Sequence, residues 1–546
     1  MLPALAVGLQ WDDYLHRSWL TPPTLSVATM HLFSFLDGDP AHIRAQMQQG
    51  TVPWWTAPDG KNTFWRPISG LTHWLDYRLW PHTPWLMHLH SLVWWALALS
   101  AVAWLYRRLL PSPMLALLAT TLFAVDEAHG YAVAWIANRN VLLAMAGGAL
   151  SLGLHHRWRS GGGPRWGLGA AAALLCAVLS AEAALGTVGY LVAYTLCWER
   201  GPVRRRLMGL LPALSVVVVW RIVYKRLGYG AWNTSYLDPL TEPWRSAQAV
   251  IERGPVLLLA QWSPLPADAY PLAAAELRRA WWLLALLALL ALAALFAPLL
   301  GRERRARFWA VGMLLSLVPV CGALPANRLL FFPGLGAAAL LAHWFAWAHP
   351  RLHRPLIRKA AHGLAAVHLI VAPLVLPLAA ASGAVFTRIE PSLATLPFDA
   401  AWPQQSAIFV QVPMFWRVGY LPSISSVEGQ PLPRSLRFIG SGLAAITLHR
   451  PDAHTLEIAP DGGFLAGYDA VFRATPLRLG ERIALGDCSV TVLALLSDGR
   501  PARIAMRWPT PLEDASLRWL TARNGRYVPF TPPSVGTTVR VAAVEL

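Results

Sequence analysis

Charged residues are scarce in this chain. Only 14% of its 546 residues are Asp, Glu, Lys or Arg, whereas 55% are hydrophobic and the mean hydropathy is +0.41. A soluble protein of this length would carry more charge. Several apolar runs reach or approach the ~20 residues that a helix needs to cross a ~30 Å hydrocarbon core. The composition therefore predicts a polytopic α-helical membrane protein.

Cysteine is also scarce, with four in the whole chain. Cys176, Cys197 and Cys321 lie in apolar runs and Cys488 is alone in the final polar region, so neither a disulfide framework nor a CxxC metal site is predicted. The first ten residues lack the basic start of a signal peptide. As a helix they would span only ~15 Å, so we expect the first helix to be truncated or the true start to lie upstream.

Ten longer apolar runs predict membrane helices, which with the short first one makes eleven. No internal repeat accompanies them. Their approximate ranges are 84–106, 112–125, 138–154, 167–183, 186–198, 207–224, 281–300, 308–324, 329–348 and 361–384.

The formal charge of +17 comes from basic residues clustered between these runs, without any nucleic-acid-binding motif. They fall on alternate connections, as the positive-inside rule requires of cytoplasmic loops. We therefore predict no nucleic-acid partner. The clusters are Arg107–Arg108, 155–166, 199–206, 302–307 and 351–359.

The remaining connections are then external, which in a bacterium means the periplasmic side of the inner membrane. They are residues 11–83, the loop 126–137, the long stretch 225–280, the turn at Ala326–Arg328 and everything after about 385.

Residues 385–546 differ from the rest. Short alternating runs at 445–450, 455–460, 488–496 and 502–508 are separated by Asp461-Gly462, Gly486-Asp487 and Asp498-Gly499, which are hairpin-type turn signals. We therefore predict a membrane domain over 1–384, followed by a mainly β soluble domain over 385–546 on the external side.

An acidic pair, Asp12 and Asp13, follows the uncharged N-terminal run. Neighbouring residues point in different directions, so only one of the two is expected to face a given site. The alternative is solvation at a helix end. A functional role is favoured because the first external loop is some seventy residues long and rich in Trp, Pro and His, more than a connection needs.

Arg66 precedes a proline later in the same loop. Its planar guanidinium suits phosphate oxygens. The alternative is an interfacial arginine whose charge reaches the lipid headgroups.

Asp126, Glu127 and His129 cluster in the second external loop, and Arg139 lies where the next helix should begin. Charged groups beside apolar spans are costly unless they face a polar cavity, so each is a functional candidate. Asp126 and His129 could supply two ligands to a divalent cation, Mg²⁺ or Mn²⁺, although two ligands are a weak signal.

Further charges lie at the external ends of apolar runs. They are Glu182, Arg328 and the group Arg221, Lys225 and Arg226. Positive charge on the external side calls for an anionic partner, and a lipid phosphate is the obvious one at that depth. Ordinary headgroup contact is the alternative. Most of the 28 tryptophans are assigned to the interfacial belt or the core, and the remaining histidines to structural roles.

Four segments carry a family resemblance: "FWRPISGLTHWLDY", "LFAVDEAHGYAVAWIANRN", "LSAEAALG" and "ANRLLFFPG". With the acidic pair, they resemble the GT-C superfamily of membrane glycosyltransferases, which includes protein O-mannosyltransferases and the aminoarabinose transferases of lipid A. They look closest to the O-mannosyltransferase branch, whose segments read roughly RP(I/L), HP-x-H-x-E, SKE and ER-x-LY-x-P. The likeness covers about residues 9–340.

The chain departs from that branch in three places. "DEAHG" stands where the branch has His-Pro and a later Glu, and "SAE" lacks the lysine of SKE. The long helical C-terminal region of the branch is replaced here by the β domain. The acceptor therefore cannot be carried over from the branch.

The resemblance implies transfer of a sugar from a polyprenyl-phosphate donor to an external acceptor hydroxyl, with inversion. Asp12 would be the general base, a role that typically supplies ~10²–10⁴-fold. Arg66, with Arg139 or Arg328, would bind the donor phosphate, with Lys225 and Arg226 as further candidates. Asp126 or Glu127 would orient the acceptor or hold a cation, and Asp13, His129 and Glu182 complete the candidate site.

Three other interpretations remain open. A transporter or flippase of lipid-linked saccharides would show midplane charges and broken helices in matched halves, and the sequence shows neither. A non-catalytic membrane scaffold would use the β domain for binding. An O-antigen-ligase-like transferase would need a basic, histidine-containing loop that the sequence does not reveal.

Overall fold

The structure is a computed structural model that describes residues 1–389, 393–413, 415–440 and 442–544. Its α-helices are α1 (Asp12–Trp19), α2 (Val27–Met30), α3 (Pro40–Gln49), α4 (Pro67–Leu79), α5 (Pro84–Leu109), α6 (Pro113–Ala124), α7 (Ala128–Ala134), α8 (Arg139–Arg157), α9 (Pro164–Val178), α10 (Gly186–Ala193), α11 (Val203–Met208), α12 (Leu211–Arg226), α13 (Pro243–Trp262), α14 (Ala275–Arg302), α15 (Arg304–Val320), α16 (Phe331–Ala348), α17 (Pro355–Ala366), α18 (Ala372–Ile389) and α19 (Phe415–Glu428).

Its β-strands fall into three sheets, in the orders β1-β2-β3, β13-β6-β7-β10-β9-β8 and β12-β11-β4-β5. The strands are β1 (Phe33–Asp37), β2 (Lys61–Phe64), β3 (Gly230–Trp232), β4 (Ser406–Gln411), β5 (Ser435–Gly440), β6 (Ile446–His449), β7 (Thr455–Pro460), β8 (Arg482–Ala484), β9 (Ser489–Leu495), β10 (Pro501–Arg507), β11 (Leu517–Arg523), β12 (Arg526–Pro529) and β13 (Thr538–Val541).

Each of the ten longer apolar runs coincides with helical structure, but their number as membrane spans is not confirmed. Within the described residues, four helices are long and apolar enough to cross a membrane: Pro84–Leu109, Ala275–Arg302, Phe331–Arg351 and Pro355–Val385. A fifth is counted if Ala128–Ala134 and Ile136–Gly162, bent by 111° to each other, form one span. Helices such as α6 reach only ~18 Å at 1.5 Å per residue. The N-terminal run forms one 3-10 helix, Leu2–Ala6.

Helix α16 lies at the centre of the helical region, with most of its residues buried. Tyr190 donates a hydrogen bond to the Phe332 carbonyl at 2.6 Å, and Tyr106 donates to the Leu335 carbonyl at 2.6 Å. Gly336 permits this packing, because a Cβ there would lie 2.6 Å from the Tyr190 hydroxyl. These contacts fix the first turn of α16 and therefore the short segment Asn327–Leu329 that precedes it.

The first external loop is folded rather than extended. Strands β1 and β2 pair antiparallel with Phe33 opposite Phe64, and β2 pairs with β3 of the long external stretch with Lys61 opposite Trp232. Pro67 then begins α4, a position where proline is favoured because its missing N–H is not needed. Arg66 is thereby held between a strand and a helix.

The C-terminal region has the strands that the alternating runs predict. The runs at 445–450, 455–460, 488–496 and 502–508 form β6, β7, β9 and β10, which are neighbours in one antiparallel six-stranded sheet. Gly486-Asp487 and Asp498-Gly499 are hairpin turns, whereas Asp461-Gly462 leads out of the sheet. In the four-stranded sheet, β4 pairs in parallel with both β5 and β11. Helix α19 connects β4 to β5.

One hydrophobic core joins the first external loop to the C-terminal region. Ile43, Met47 and Trp55 pack in the same cluster as residues of both C-terminal sheets. Arg437 of β5 donates to the Gln48 carbonyl at 2.7 Å. Gly50 lies so close to β5 that a Cβ there would be 1.9 Å from the Leu436 carbonyl oxygen. The boundary predicted near residue 385 therefore separates segments of sequence that share a core in space.

Candidate active site

Asp12 and Asp13 open helix α1 and have different surroundings. Asp13 is fully buried, and its carboxylate accepts hydrogen bonds from the backbone N–H groups of Gln10 at 2.9 Å and Ala137 at 2.7 Å. Asp12 remains partly exposed, and its Oδ1 accepts a hydrogen bond from the Tyr420 hydroxyl. Asp13 thus ties α1 to the end of the second loop, whereas Asp12 is the more accessible of the two carboxylates.

Two arginines act on the Asp12 carboxylate. Burial raises its pKa above the usual range, and the hydrogen bond from Tyr420 and the charges of Arg328 and Arg66 oppose that rise. Charges from three separate segments of the chain, at residues 12, 66 and 328, therefore interact electrostatically.

Arg66 is oriented by Glu182. Its Nε and Nη2 each lie 2.8 Å from Glu182 Oε2, and the two side chains are 18% and 22% exposed. The guanidinium also lies over the rings of Phe64 and Phe33, at 4.5 and 5.0 Å from the ring centroids. The structure thus brings together two predicted site residues and leaves Arg66 partly open to the site.

Arg328 stands in the 3-10 turn before α16, which a reciprocal pair of hydrogen bonds fixes. Asp268 Oδ2 accepts from the Asn327 N–H and Asn327 Oδ1 accepts from the Ala267 N–H, both at 2.8 Å. The Arg328 guanidinium lies 5.0 Å from the centroid of the Trp135 ring.

Three tyrosines act electrostatically on Arg328. Burial lowers the pKa of Arg328, but Tyr236, Tyr131, Tyr468 and Asp268 reverse the effect, so that its pKa is raised. The Tyr468 hydroxyl donates to the Asp268 carbonyl at 3.2 Å. Tyr468 and Tyr420 belong to the C-terminal region, so that region forms one wall of the site.

The second-loop acids have polar surroundings of their own. Asp126 accepts from Gln261 Nε2 at 2.8 Å and from the Ala128 N–H at 3.0 Å. Burial and the neighbouring Asp126 charge raise the pKa of Glu127 to about 7. An acceptor-orienting role for these two residues stays a prediction.

His129 has largely aromatic surroundings. Its ring packs against Phe331 and Phe123, at centroid distances of 4.2 and 4.5 Å. Across the described ranges, no group of three or more His, Cys, Asp or Glu could hold a metal ion. A divalent cation, Mg²⁺ or Mn²⁺, held by Asp126 and His129 stays a prediction.

Arg139 has a structural environment rather than the phosphate-binding one that we expected. It is paired with Asp76 at 2.5 Å, and neither side chain is exposed. It also donates to the Met87 carbonyl and to the Ser91 hydroxyl, at 2.8 and 2.9 Å. A guanidinium with its donors engaged in this way has no free face for a lipid phosphate.

Lys225 likewise has a partner within the chain. Its Nζ lies 2.9 Å from Asp238 Oδ2, and Arg221 pairs with the same carboxylate. Asp238 is therefore an anionic partner for both Lys225 and Arg221. Arg226 is exposed on the same helix and stays a candidate for headgroup contact.

Five contributors to the site were not predicted from the sequence: Tyr131, Tyr236, Asp268, Tyr420 and Tyr468. Asp268 lies in the long external stretch, whose length alone was a signal of function. No pattern around the tyrosines distinguishes them from the other tyrosines of the chain.

Neither a protein-family model nor a curated protein matches this sequence. Among solved structures, the chain is similar to an oligosaccharyltransferase of Archaeoglobus fulgidus in its apo form, with 14% identity, 79% of this chain and 64% of that chain covered, and a TM-score of 0.39. The archaeal oligosaccharyltransferase AglB with an inhibitory peptide and a dolichol-phosphate gives 12% identity, the same coverage and a TM-score of 0.39.

A third similar structure is ArnT from Cupriavidus metallidurans bound to undecaprenyl phosphate, with 15% identity, 78% and 84% coverage and a TM-score of 0.34. The chain spans 64% of the length of the two oligosaccharyltransferase chains.

Proposed function

We propose that this protein is an integral membrane glycosyltransferase that moves a sugar from a polyprenyl-phosphate donor to a hydroxyl of an external acceptor. The observation that carries the proposal is the partly exposed carboxylate of Asp12, which accepts a hydrogen bond from Tyr420 and on which the charges of Arg66 and Arg328 act. A base beside two cations suits a reaction in which a hydroxyl loses a proton while a phosphate leaves.

Asp12 is the general base in this proposal. It takes the proton of the acceptor hydroxyl as the oxygen attacks the anomeric carbon and inverts its configuration. Burial raises the pKa of Asp12, which makes its carboxylate a better base, and the charges of Arg328 and Arg66 favour the ionised form. One of its oxygens is held by Tyr420, which leaves the other for the acceptor.

Arg66 and Arg328 bind the donor phosphate. The bond between the anomeric carbon and the phosphate oxygen breaks, and the phosphate leaves with the electron pair. Guanidinium groups already in place stabilise that charge without reorganisation. Glu182 holds Arg66 in position. The hydrogen bond from the Asn327 N–H to Asp268 likewise holds the segment that carries Arg328.

The test is transfer of radiolabelled sugar from native polyprenyl-phosphate donors in membranes that contain the wild type or Asp12→Asn. We expect Asp12→Asn to lower transfer by ~10²–10⁴-fold at equal expression. Asp498→Asn, an exposed carboxylate in the β9–β10 turn, is the matched control and should transfer like the wild type. Equal transfer by all three proteins would refute the proposal.

A further inference from the structure

Helix α19 of the C-terminal region packs directly on α1, beside the acidic pair. The ring of Trp11 lies 6.4 Å from that of Tyr420, and Gly419 brings the helix so near the first external loop that a Cβ there would be 2.9 Å from the Thr51 carbonyl oxygen. Because α19 is held this closely, the residue after Gly419, which is Tyr420, has a fixed position.

That residue, Tyr420, donates a hydrogen bond from its hydroxyl group to Asp12 Oδ1. From this contact we infer that Tyr420 is the positioning residue of the Asp12 carboxylate, so that the C-terminal region completes the catalytic centre instead of forming a separate binding module. The inference rests on the proposed function and deepens it, because it names what orients the base.

The electrostatics agree with the geometry. Burial and the Asp12 charge raise the pKa of Tyr420 well above its usual value, so the phenol stays neutral and remains a donor. The charged and titratable groups that face the pair are Arg328 and Arg66 towards Asp12, Tyr236 towards Tyr420, and Asp13 beside both. Among these groups, Tyr420 provides the hydrogen bond from a side chain to the carboxylate.

A positioning role predicts the direction in which the pH dependence of activity shifts when Tyr420 is changed. The hydrogen bond favours the ionised carboxylate, so removing it raises the pKa of Asp12 further. Activity that needs ionised Asp12 rises as the pH passes that pKa. In Tyr420→Phe the rise therefore occurs at higher pH, and the loss is greatest on the acid side.

The experiment compares the full chain with Tyr420→Phe and Ser425→Ala in native membranes. Ser425 is a matched control because it is a buried hydroxyl on the same helix, without a hydrogen-bond partner in the described part of the chain. We expect Tyr420→Phe to lower the rate constant of sugar transfer about five- to tenfold, to leave KM for the donor unchanged and to shift the acid limb of the pH profile. Ser425→Ala should do none of these.

A readout that needs no substrate accompanies the assay. A hydrophobic carbodiimide reacts with protonated carboxyl groups, so labelling of Asp12 in the purified chain, measured by mass spectrometry, reports its pKa. The pH midpoint of labelling should move upward in Tyr420→Phe and stay in place in Ser425→Ala. In combination with Asp12→Asn, Tyr420→Phe should cause no further loss of transfer.

The outcomes separate the two ideas. If the wild type transfers sugar and the midpoint of Asp12 labelling is the same in Tyr420→Phe, the positioning role is overturned and the proposed function stands. If the midpoint moves but Asp12→Asn transfers as well as the wild type, the contact is real and the proposed function fails.

Discussion

Arg139 and Asp76 form an ion pair in which neither side chain has any solvent exposure, their nearest atoms 2.5 Å apart. The pair joins α8 to α4, so it fixes the helix that leaves the second loop against the helix that follows Arg66. Its contribution is to the frame of the site rather than to the binding of a phosphate.

Removing one partner of this pair should destabilise the protein. Asp76→Asn leaves the buried charge of Arg139 without its partner. Arg139→Met leaves the buried charge of Asp76 and its polar neighbours unpaired. Each change should cost about 3–5 kcal/mol. The measurement is thermal unfolding of the detergent-solubilised chain. The double variant should recover part of the loss. A single variant as stable as the wild type, but with weaker donor binding, would instead return Arg139 to the phosphate site.

The two aspartates of the acidic pair should behave differently. Asp12→Asn should abolish transfer without a change in thermal stability, whereas Asp13→Asn should lower stability by about 1–3 kcal/mol, because an amide cannot accept from both the Gln10 and Ala137 N–H groups. Parallel unfolding curves and transfer rates distinguish the two effects. The reverse pattern would make Asp13 the base.

Glu182→Gln should weaken donor binding through Arg66. The amide retains the shape but loses the charge that holds the guanidinium, so KM for the donor should rise about three- to tenfold while the rate constant changes less. Glu199→Gln is a matched control, because Glu199 pairs with Arg159 at a distant part of the helical region. An equal rise in KM in both variants would indicate a general effect on folding.

Asp469 should make stability depend on pH. Burial raises the pKa of its carboxyl from the ordinary value of 3.8 to about 7, although Arg500 opposes the shift. A group of this kind stabilises the fold fully below its unfolded pKa, and the contribution is lost as the pH rises to about 7. The stability of Asp469→Asn relative to the wild type should thus grow between pH 4 and 7 and then level off, as followed by melting temperature. A constant difference over that range would contradict the assignment.

Gly50→Ala should break the contact between the first external loop and the C-terminal region. Gly50 has φ of +85° and a carbonyl oxygen 1.9 Å from the position of a Cβ. Gly429 has a similar φ of +73° with nothing within 4 Å, so Gly429→Ala shows the cost of the backbone conformation alone, about 1–2 kcal/mol. Limited proteolysis and unfolding should show a larger loss for Gly50→Ala. Equal losses would mean that β5 moves aside.

The sequence could predict much of the helical framework, because apolar runs and Pro-initiated helices are local signals. It also predicted β6, β7, β9 and β10 from alternation. It could not predict the number of membrane spans, because bends between helices interrupt apolar segments. The 111° bend near Trp135 is one example. The alternation likewise gave no sign that α19 interrupts the β region.

The candidate site shows the same division. Composition and motif by themselves predicted a membrane protein with charged groups next to its apolar runs and in its connections, among them Asp12, Arg66 and Arg328. Only the tertiary structure decided which charges are free for chemistry. Arg139 and Lys225 are paired with Asp76 and Asp238, partners far away or unmarked in sequence. Tyr420 reaches Asp12 across 408 residues, because a shared hydrophobic core, and not any local pattern, brings the two ends of the chain together.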